Sequence, residues 1–564
     1  MMRQTIMPLI EGQRLYAGCG KSNLSSGGCM RALHIENQMR AMLLTIDCDI
    51  NVQAVQQAAA RQAGLAAEQV WVHVTGCMKA QMEAVLAATE DAVRQAMESC
   101  CPVQMATVRD SHFFDGKDID PVLTMLCFQR MDGTPLALLI NLACEAARLA
   151  DEMERLLPSQ MVMILPSATR EKKASAELAQ TLVDRSQHAV NPVWTPGVYA
   201  ATVRLKNEEC GGILYIGRTM IFSFRTPLTA EDVLTLRQAF PNDRMLCTCW
   251  DAENGQTLGS SVRCREAIEE MKRLVPIAWA LPKAFEDAVE RKIFEVAYDN
   301  QSAGQVMDIW LPDEACSAPY PVIVYAHGGG WSHGWQRGND LIPVLSGLDR
   351  GYAVVSIQYR LSGEARFPAA LYDIKAVLRW LRAHAEEYQL DVKKLCLWGA
   401  SAGAWLVAMA ALTAENPALE DVTHGICAPL APAPRAVVSW CGPYDMVPTT
   451  SANSMEEEQR EAMLPFSTFL GAPVSRVPQL CRLASPITHI GKHAPPFLLL
   501  HGTGDELVPH SQSEKMYATL RNVPGRRALD KLVLESGRPH HGDSWYHEPR
   551  VCKLCLDYLD SFCR

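Results

Sequence analysis

The stretch "LCLWGASAGAWL", residues 395–406, decides how the C-terminal half of this chain reads. Leu395, Cys396, Leu397 and Trp398 form a short apolar run suited to a strand buried on both faces. It passes directly into Gly399-Ala400-Ser401-Ala402-Gly403 and then into a helix-forming segment. A serine between glycines on a sharp strand-to-helix turn is held in a strained backbone, with its hydroxyl raised at the sheet edge. The small neighbours Ala400, Ala402 and Ala404 leave room for such a turn. The helix that follows aims its dipole and the N–H of Ala402 at the place where an oxyanion would form. Ser401 is therefore a candidate nucleophile.

Upstream, "YAHGGGWSHG" at residues 325–334 places three glycines directly behind a histidine. Three glycines in an ordered position cost backbone entropy and need a reason. They follow the apolar strand pattern of residues 322–326 and precede Ser401 by one further strand and a long helix. That placement suits a loop whose N–H groups complete an oxyanion hole, with Gly329 and Gly330 donating beside Ala402. His327 is read as a brace for the loop, and Trp331 and Trp335 as candidate walls of a substrate pocket.

A serine becomes a nucleophile at neutral pH only with a base, and the base needs an orienting acid. Downstream, "PPFLLLHGTGDELVP" is a strand that emerges into a loop carrying Asp505. A carboxylate just past a strand end lies on the same sheet edge as the serine turn. The next strand pattern leads into "SGRPHHGDSW", which offers His540 and His541. Gly542 lets the loop bend behind His541 and expose its ring, which favours His541 as the base. His540 is the alternative, with His510 and His547 behind it.

Around these motifs, residues 322–326, 353–357, 395–398, 436–440, 497–501 and 531–535 are short, apolar and rich in strand formers. Helical patterns at 368–388 and 403–413 separate several of them, and "KIFEVAYDNQSAGQVMDIWLP" reads as an opening hairpin. Strands alternating with helices imply a mainly parallel sheet with helices on both faces. The fold class is α/β, with a hydrolase-sized domain at 291–564, a linker at 276–290 and a separate α/β domain at 1–275.

At 564 residues the chain exceeds one compact core. A net charge of −10 speaks against nucleic acid, which requires concentrated Lys and Arg. No run of about 18 apolar residues suggests a membrane span. The first residues lack a signal-peptide pattern, because Glu11 and Arg14 interrupt it, so a cytoplasmic location is expected. The 20 cysteines are scattered, as small hydrophobes of a reducing compartment would be. Cys552 and Cys555 have C-x-x-C spacing, yet Val551, Leu554, Cys555 and Tyr558 share a helical face there, which reads as packing. No metal or organic cofactor is expected.

With these residues in view, 291–564 resembles the α/β-hydrolase fold. "VIVYAHGGGW", "VVSIQYRLSGEARFPAALYDIKAVLRWLR", "LWGASAGAWL" and "SPITHIGKHAPPFLLLHGTGDELVPHSQSEKMYATL" are similar, in register, to its bacterial feruloyl-esterase-like branch and its hormone-sensitive-lipase and carboxylesterase relatives. The resemblance implies esterase chemistry on a small-molecule ester, with Ser401, Asp505 and His541 in the triad positions. It favours Asp505 over Glu506 or Asp543 and gives Asp373 a structural role. The same triad cleaving an amide is the nearest alternative reading. A non-catalytic binding protein built from two enzyme folds is a further one.

Residues 1–275 resemble the N-terminal domain of neutral/alkaline ceramidases through "LYAGCGKSNLS", "MRALHIENQMRAMLLTIDCDI", "VWVHVTG", "DIDPVLTMLCFQRMDGTPLALLINLACEA" and "LYIGRTMIFSFRTPLTAEDVLTLRQAF". That family is a zinc amidase. Its H-x-H-S-G motif falls on Val72–Gly76, where only His73 stands, and Glu145 occupies the place of a ligand histidine. A catalytic zinc takes three protein ligands. His73, with Cys77, Cys144 or Glu145, makes no such set, so the resemblance implies the domain without its metal.

Overall fold

The computed structural model describes residues 280–421, 433–447, 465–505, 507–526, 529–540 and 545–563 of the C-terminal half. In the N-terminal half it describes 15–24, 29–36, 40–49, 52–66, 69–79, 81–110, 123–130, 132, 134–142, 146–157 and 160–166, with short pieces between 179 and 271. The chain divides into two compact units, Gln13–Ala278 and a second that runs over Trp279–Arg564.

The C-terminal unit is built on an eight-stranded sheet of order β13-β14-β16-β15-β17-β18-β19-β20. Its strands are β13 (Lys292–Ala297), β14 (Val306–Trp310), β15 (Tyr320–Ala326), β16 (Ala353–Ile357), β17 (Leu390–Ala400), β18 (Val437–Trp440), β19 (Phe497–Gly502) and β20 (Lys531–Glu535). β13 and β14 form the expected antiparallel hairpin, with Lys292 opposite Trp310, and β14 runs antiparallel to β16. From β16 to β20 every pairing is parallel. Parallel strands need covered crossovers, and residues 322–326 and 395–400 are buried throughout, as their unbroken apolar sequence requires.

The helix Ala402–Leu412 is apolar on all sides, and every residue from Ala402 to Ala411 is buried. Helices of this kind belong in a core rather than at a surface. Ala369–Ala383 packs beside it, with Asp373 buried in its middle. The Asp373 carboxylate accepts from the Arg360 N–H, the Arg360 guanidinium and Gln305 Nε2, all within 3.1 Å, which is the structural role expected of it. Cys552 and Cys555 are buried along Pro549–Cys563, and burial pushes the Cys555 thiol up to about 12.

One boundary differs from the expectation of a linker at 276–290. Lys283–Ala288 is a helix, and Leu281, Phe285 and Val289, four residues apart, are buried. Leu281 N–H donates to the Arg337 carbonyl at 2.7 Å. Residues 280–290 thus belong to the C-terminal unit, because an i, i+4 apolar stripe gains more by burial than a free linker would.

The N-terminal unit carries another eight-stranded mixed sheet, order β4-β3-β2-β1-β5-β6-β7-β8. These strands are β1 (Leu15–Asn23), β2 (Cys29–Glu36), β3 (Arg40–Asp49), β4 (Val70–Lys79), β5 (Cys101–Asp110), β6 (Leu123–Arg130), β7 (Pro135–Leu142) and β8 (Met161–Pro166). The helices Val52–Ala63, in the Ala/Gln-rich segment, and Met82–Glu98 bury Val55, Ala59, Val85 and Ala92 in one cluster with residues of β2, β3 and β4. A four-stranded sheet, order β12-β11-β10-β9, joins β9 (Val198–Arg204), β10 (Cys210–Ile216), β11 (Thr219–Phe224) and β12 (Arg244–Cys249). His73 and Cys77 lie on β4, but their side chains, like all of Cys144 and Glu145, are outside the described residues. Among the described residues, no helix is long and apolar enough to cross a membrane.

Candidate active site

Ser401 sits between β17 and the helix Ala402–Leu412 with φ 52° and ψ −118°, a strained backbone that L residues rarely adopt. The turn closes because its N–H donates to the Trp440 carbonyl on β18 at 2.8 Å. Gly403 has to be glycine: a Cβ there would stand 2.0 Å from the Ala326 carbonyl oxygen at the end of β15. Gly399 is excluded from bearing one by the Gly403 backbone, 2.3 Å away. The small residues of the motif therefore let a helix end press against two strand ends, and that compression lifts the serine side chain.

The hydroxyl meets an imidazole. Ser401 Oγ lies 2.9 Å from Nε2 of His540, and Nδ1 of His540 lies 2.6 Å from Oδ2 of Asp505. All three residues are buried. The ring hydrogen-bonded to the serine thus belongs to His540 and not to His541, which the sequence favoured. His541 lies outside the described residues, as do Glu506 and Asp543. The reason is the path of the loop after β20. The Gly504 N–H donates to the Arg538 carbonyl at 2.9 Å, and the Trp545 Nε1–H donates to the Pro539 carbonyl at 2.9 Å. These bonds pin the residues on either side of His540 and turn its ring inward. His510 instead stands 3.8 Å from Glu514 at a helix start, and His547 is buried ahead of the C-terminal helix.

Asp505 is held from four sides. Its Oδ1 accepts from the N–H groups of Leu507 and Val508, at 2.9 and 2.8 Å. Its Oδ2 accepts from His540 and also from His501 Nε2, at 3.0 Å. Burial pushes this carboxyl up, but the bonds from His501, His540 and Val508 outweigh it and hold it well below the usual carboxylate range. His501 in turn accepts from Ser513 Oγ at 2.7 Å. The sequence reading missed His501, although a lone histidine closing the apolar strand β19, four residues before Asp505, was a visible signal.

The glycine loop follows β15, where Ala326 pairs with Gly399, so it runs alongside the serine turn. Gly329, Gly330 and Trp331 all have positive φ, at 116°, 57° and 59°. A Cβ on Gly329 would stand 2.0 Å from the His333 carbonyl. His327 braces this loop: Nδ1 is 2.7 Å from the Gly328 carbonyl, Nε2 is 3.1 Å from Gln358 Oε1, and its ring stacks on Tyr359 at 4.4 Å. Burial lowers its pKa to about 4, so the ring is neutral at neutral pH. Ala402, the first helical residue, presents an N–H with no intrahelical partner.

Of the two tryptophans, Trp331 differs from expectation. Trp331 is only 2% exposed, stacks on Phe469 at 4.5 Å and meets Trp405 edge-on at 5.6 Å. It is a core residue rather than a pocket wall, because its left-handed backbone turns the indole inward against those rings. Trp335 is half-buried in the same loop. The described residues also place Cys441, at the end of β18, with its Sγ 3.9 Å from His540 Nε2. Nothing in its sequence context marked it.

The sheet order and the serine turn define the C-terminal unit as an α/β-hydrolase-like domain. The family model described as BD-FAE matches residues 307–520. The chain is 33% identical over 233 residues to Esterase LipQ of Mycobacterium tuberculosis, covering 41% of this chain and 52% of that protein. It is 32% identical over 236 residues to the Probable carboxylic ester hydrolase LipM of the same organism, again 41% and 52%. Among solved structures, a "Truncated form of carbohydrate esterase from gut microbiota" matches at 26% identity with a TM-score of 0.41, covering 49% of this chain and 98% of that one. The chain spans about half the length of the curated relatives named here. The family model and these relatives concern the C-terminal half, and the ceramidase resemblance of residues 1–275 finds no support in them.

Proposed function

We propose that this protein is a serine carboxylic-ester hydrolase acting on small or medium acyl esters. The observation that carries the reading is the unbroken relay Ser401–His540–Asp505, with heavy-atom separations of 2.9 and 2.6 Å. Asp505 keeps the proton on His540 Nδ1, which leaves Nε2 bare to take the serine proton. Ser401 Oγ attacks the ester carbonyl carbon as that proton moves to Nε2. The N–H groups of Gly329, Gly330 and Ala402 receive the oxyanion. The tetrahedral species collapses, and the leaving alkoxide takes the proton from His540. Water then attacks the acyl-enzyme by the same route in reverse, releasing the acid and restoring Ser401. Each oxyanion donor in such a site is worth about 2.7–4 kcal/mol.

For residues 1–275 the reading is a ceramidase-like domain without zinc chemistry. It is supported only by the in-order sequence matches and by His73 standing alone in the motif.

The test is hydrolysis of p-nitrophenyl acetate and butyrate by the full chain and by Ser401→Ala, with and without chelator, alongside labelling by a fluorophosphonate. Activity that survives chelator, with labelling, and disappears in Ser401→Ala is the expected result. A wild-type chain that neither turns over ester nor labels refutes the proposal. Activity that survives Ser401→Ala but is lost with chelator would move the chemistry away from the serine.

A further inference from the structure

We propose that Cys441 and His540 together form a binding site for a thiophilic divalent cation, of the Zn²⁺ or Cd²⁺ class, and that its occupancy shuts the hydrolytic site. The closing half rests on the proposed esterase function, whereas the binding half does not.

Three observations converge. First, one ligand atom each from Cys441, Asp505 and His540 lies within 4.8 Å of the others, the group of this kind found among the described residues. Second, the separation suits a shared ion. A cation about 2.3 Å from a thiolate and about 2.0–2.1 Å from an imidazole nitrogen, at a tetrahedral angle, sets S and N about 3.6 Å apart. Cys441 Sγ and His540 Nε2 are 3.9 Å apart, so a few tenths of an ångström of closure completes the geometry. Third, the imidazole is already prepared. Its Nδ1–H is directed at the Asp505 carboxylate at 2.6 Å, which leaves Nε2 unprotonated with its lone pair available. A carboxylate behind a histidine in this way is the usual support of a metal-bound imidazole.

Cys441 is a built part of this corner. It adopts φ 42°, and its N–H donates to the Leu500 carbonyl at 2.8 Å, which anchors it between β18 and β19. Thiolate and imidazole together select zinc-like cations over Mg²⁺ and Ca²⁺, which prefer oxygen donors. Ser401 Oγ, 2.9 Å from Nε2, or a water can take a further position.

The exchange balances without redox change. The Cys441 S–H bond breaks, its proton leaves to solvent, and an S–metal bond forms. The His540 Nε2 lone pair that accepts from Ser401 is donated to the cation instead. The serine then has no base, and turnover stops until the ion leaves.

The experiment uses the full chain with a phosphine reductant and buffered free metal. Zn²⁺ and Cd²⁺ are expected to inhibit p-nitrophenyl butyrate hydrolysis, while Mg²⁺ and Ca²⁺ at equal concentration leave it unchanged. In Cys441→Ser and Cys441→Ala, each referred to its own metal-free rate, the half-inhibiting concentration should rise by at least about tenfold. The ultraviolet cadmium–thiolate band supplies a readout independent of catalysis. It should lose amplitude in either variant relative to wild type, a difference that cancels the contribution of other thiols, such as Cys396 and Cys563, 2.9 Å apart. Equal bands in wild type and variants overturn the site, whether or not the chain hydrolyses esters. A reduced band with unchanged inhibition overturns the shut-off while leaving the binding. Loss of the esterase activity alone, with the band difference intact, refutes the proposed function instead.

Discussion

Asp505→Asn isolates what the buried carboxylate does, since it changes the side chain's size little while replacing one acceptor oxygen by a donor. The carboxylate has four partners: two backbone N–H groups on Oδ1 at 2.9 and 2.8 Å, and two imidazole nitrogens on Oδ2 at 2.6 and 3.0 Å. An amide offers one acceptor oxygen and one NH₂ donor. The Leu507 and Val508 N–H groups are fixed donors, so the amide oxygen must stay with them. Its NH₂ then faces His540 Nδ1, which can accept only by giving up its proton. The proton moves to Nε2, and that nitrogen no longer accepts from Ser401. Triads whose aspartate becomes asparagine lose on the order of 10,000-fold in kcat, about 5.5 kcal/mol of transition-state stabilisation. KM should change little, because Asp505 faces the histidines rather than the serine side of the ring. The measurement is steady-state hydrolysis of p-nitrophenyl butyrate, with a thermal melt to verify folding. A folded Asp505→Asn enzyme within about tenfold of wild type would refute the reasoning, since the tautomer would then not matter.

Three further outcomes follow from the same geometry. His540→Ala should remove essentially all turnover, by several orders of magnitude, whereas His541→Ala should stay within a few-fold; kcat for the two variants decides which ring serves Ser401. Gly403→Ala would set a methyl 2.0 Å from the Ala326 carbonyl and 2.5 Å from that of His327, so the C-terminal unit should lose roughly 3 kcal/mol of stability, read as a lowered melting temperature. His327 has its pKa depressed from 6.5 to about 4 by burial, so its contribution to stability is complete above pH 6.5 and is lost as pH falls towards 4. That loss amounts to about 3 kcal/mol, and denaturant midpoints measured between these pH values should fall less steeply in His327→Gln than in wild type. Equal slopes would mean that the ring takes up its proton without unfolding the loop.

Much of the C-terminal unit is legible in the chain because its signals are local. Apolar runs such as Val322–Ala326 and Leu395–Trp398, short and rich in strand formers, read as strands buried on both faces, and their alternation with helical segments implies a parallel sheet. The serine turn is legible for a steric reason, since residues 399 and 403 face backbone atoms too close to admit a Cβ. Asp505 is legible because it follows a strand end on the edge that carries Ser401. What the chain could not decide are matters of direction. His540 and His541 are neighbours of identical chemistry, and only the hydrogen bonds that pin Gly504, Arg538, Pro539 and Trp545 determine which ring turns inward. Trp331 reads equally as wall or core until Phe469 and Trp405, distant in sequence, are found against it. Cys441 has no motif at all, and His501 shows only as a lone histidine at the end of an apolar strand. Their roles arise where the ends of β18 and β19 meet the loop after β20, a contact between segments that only the folded sheet brings together.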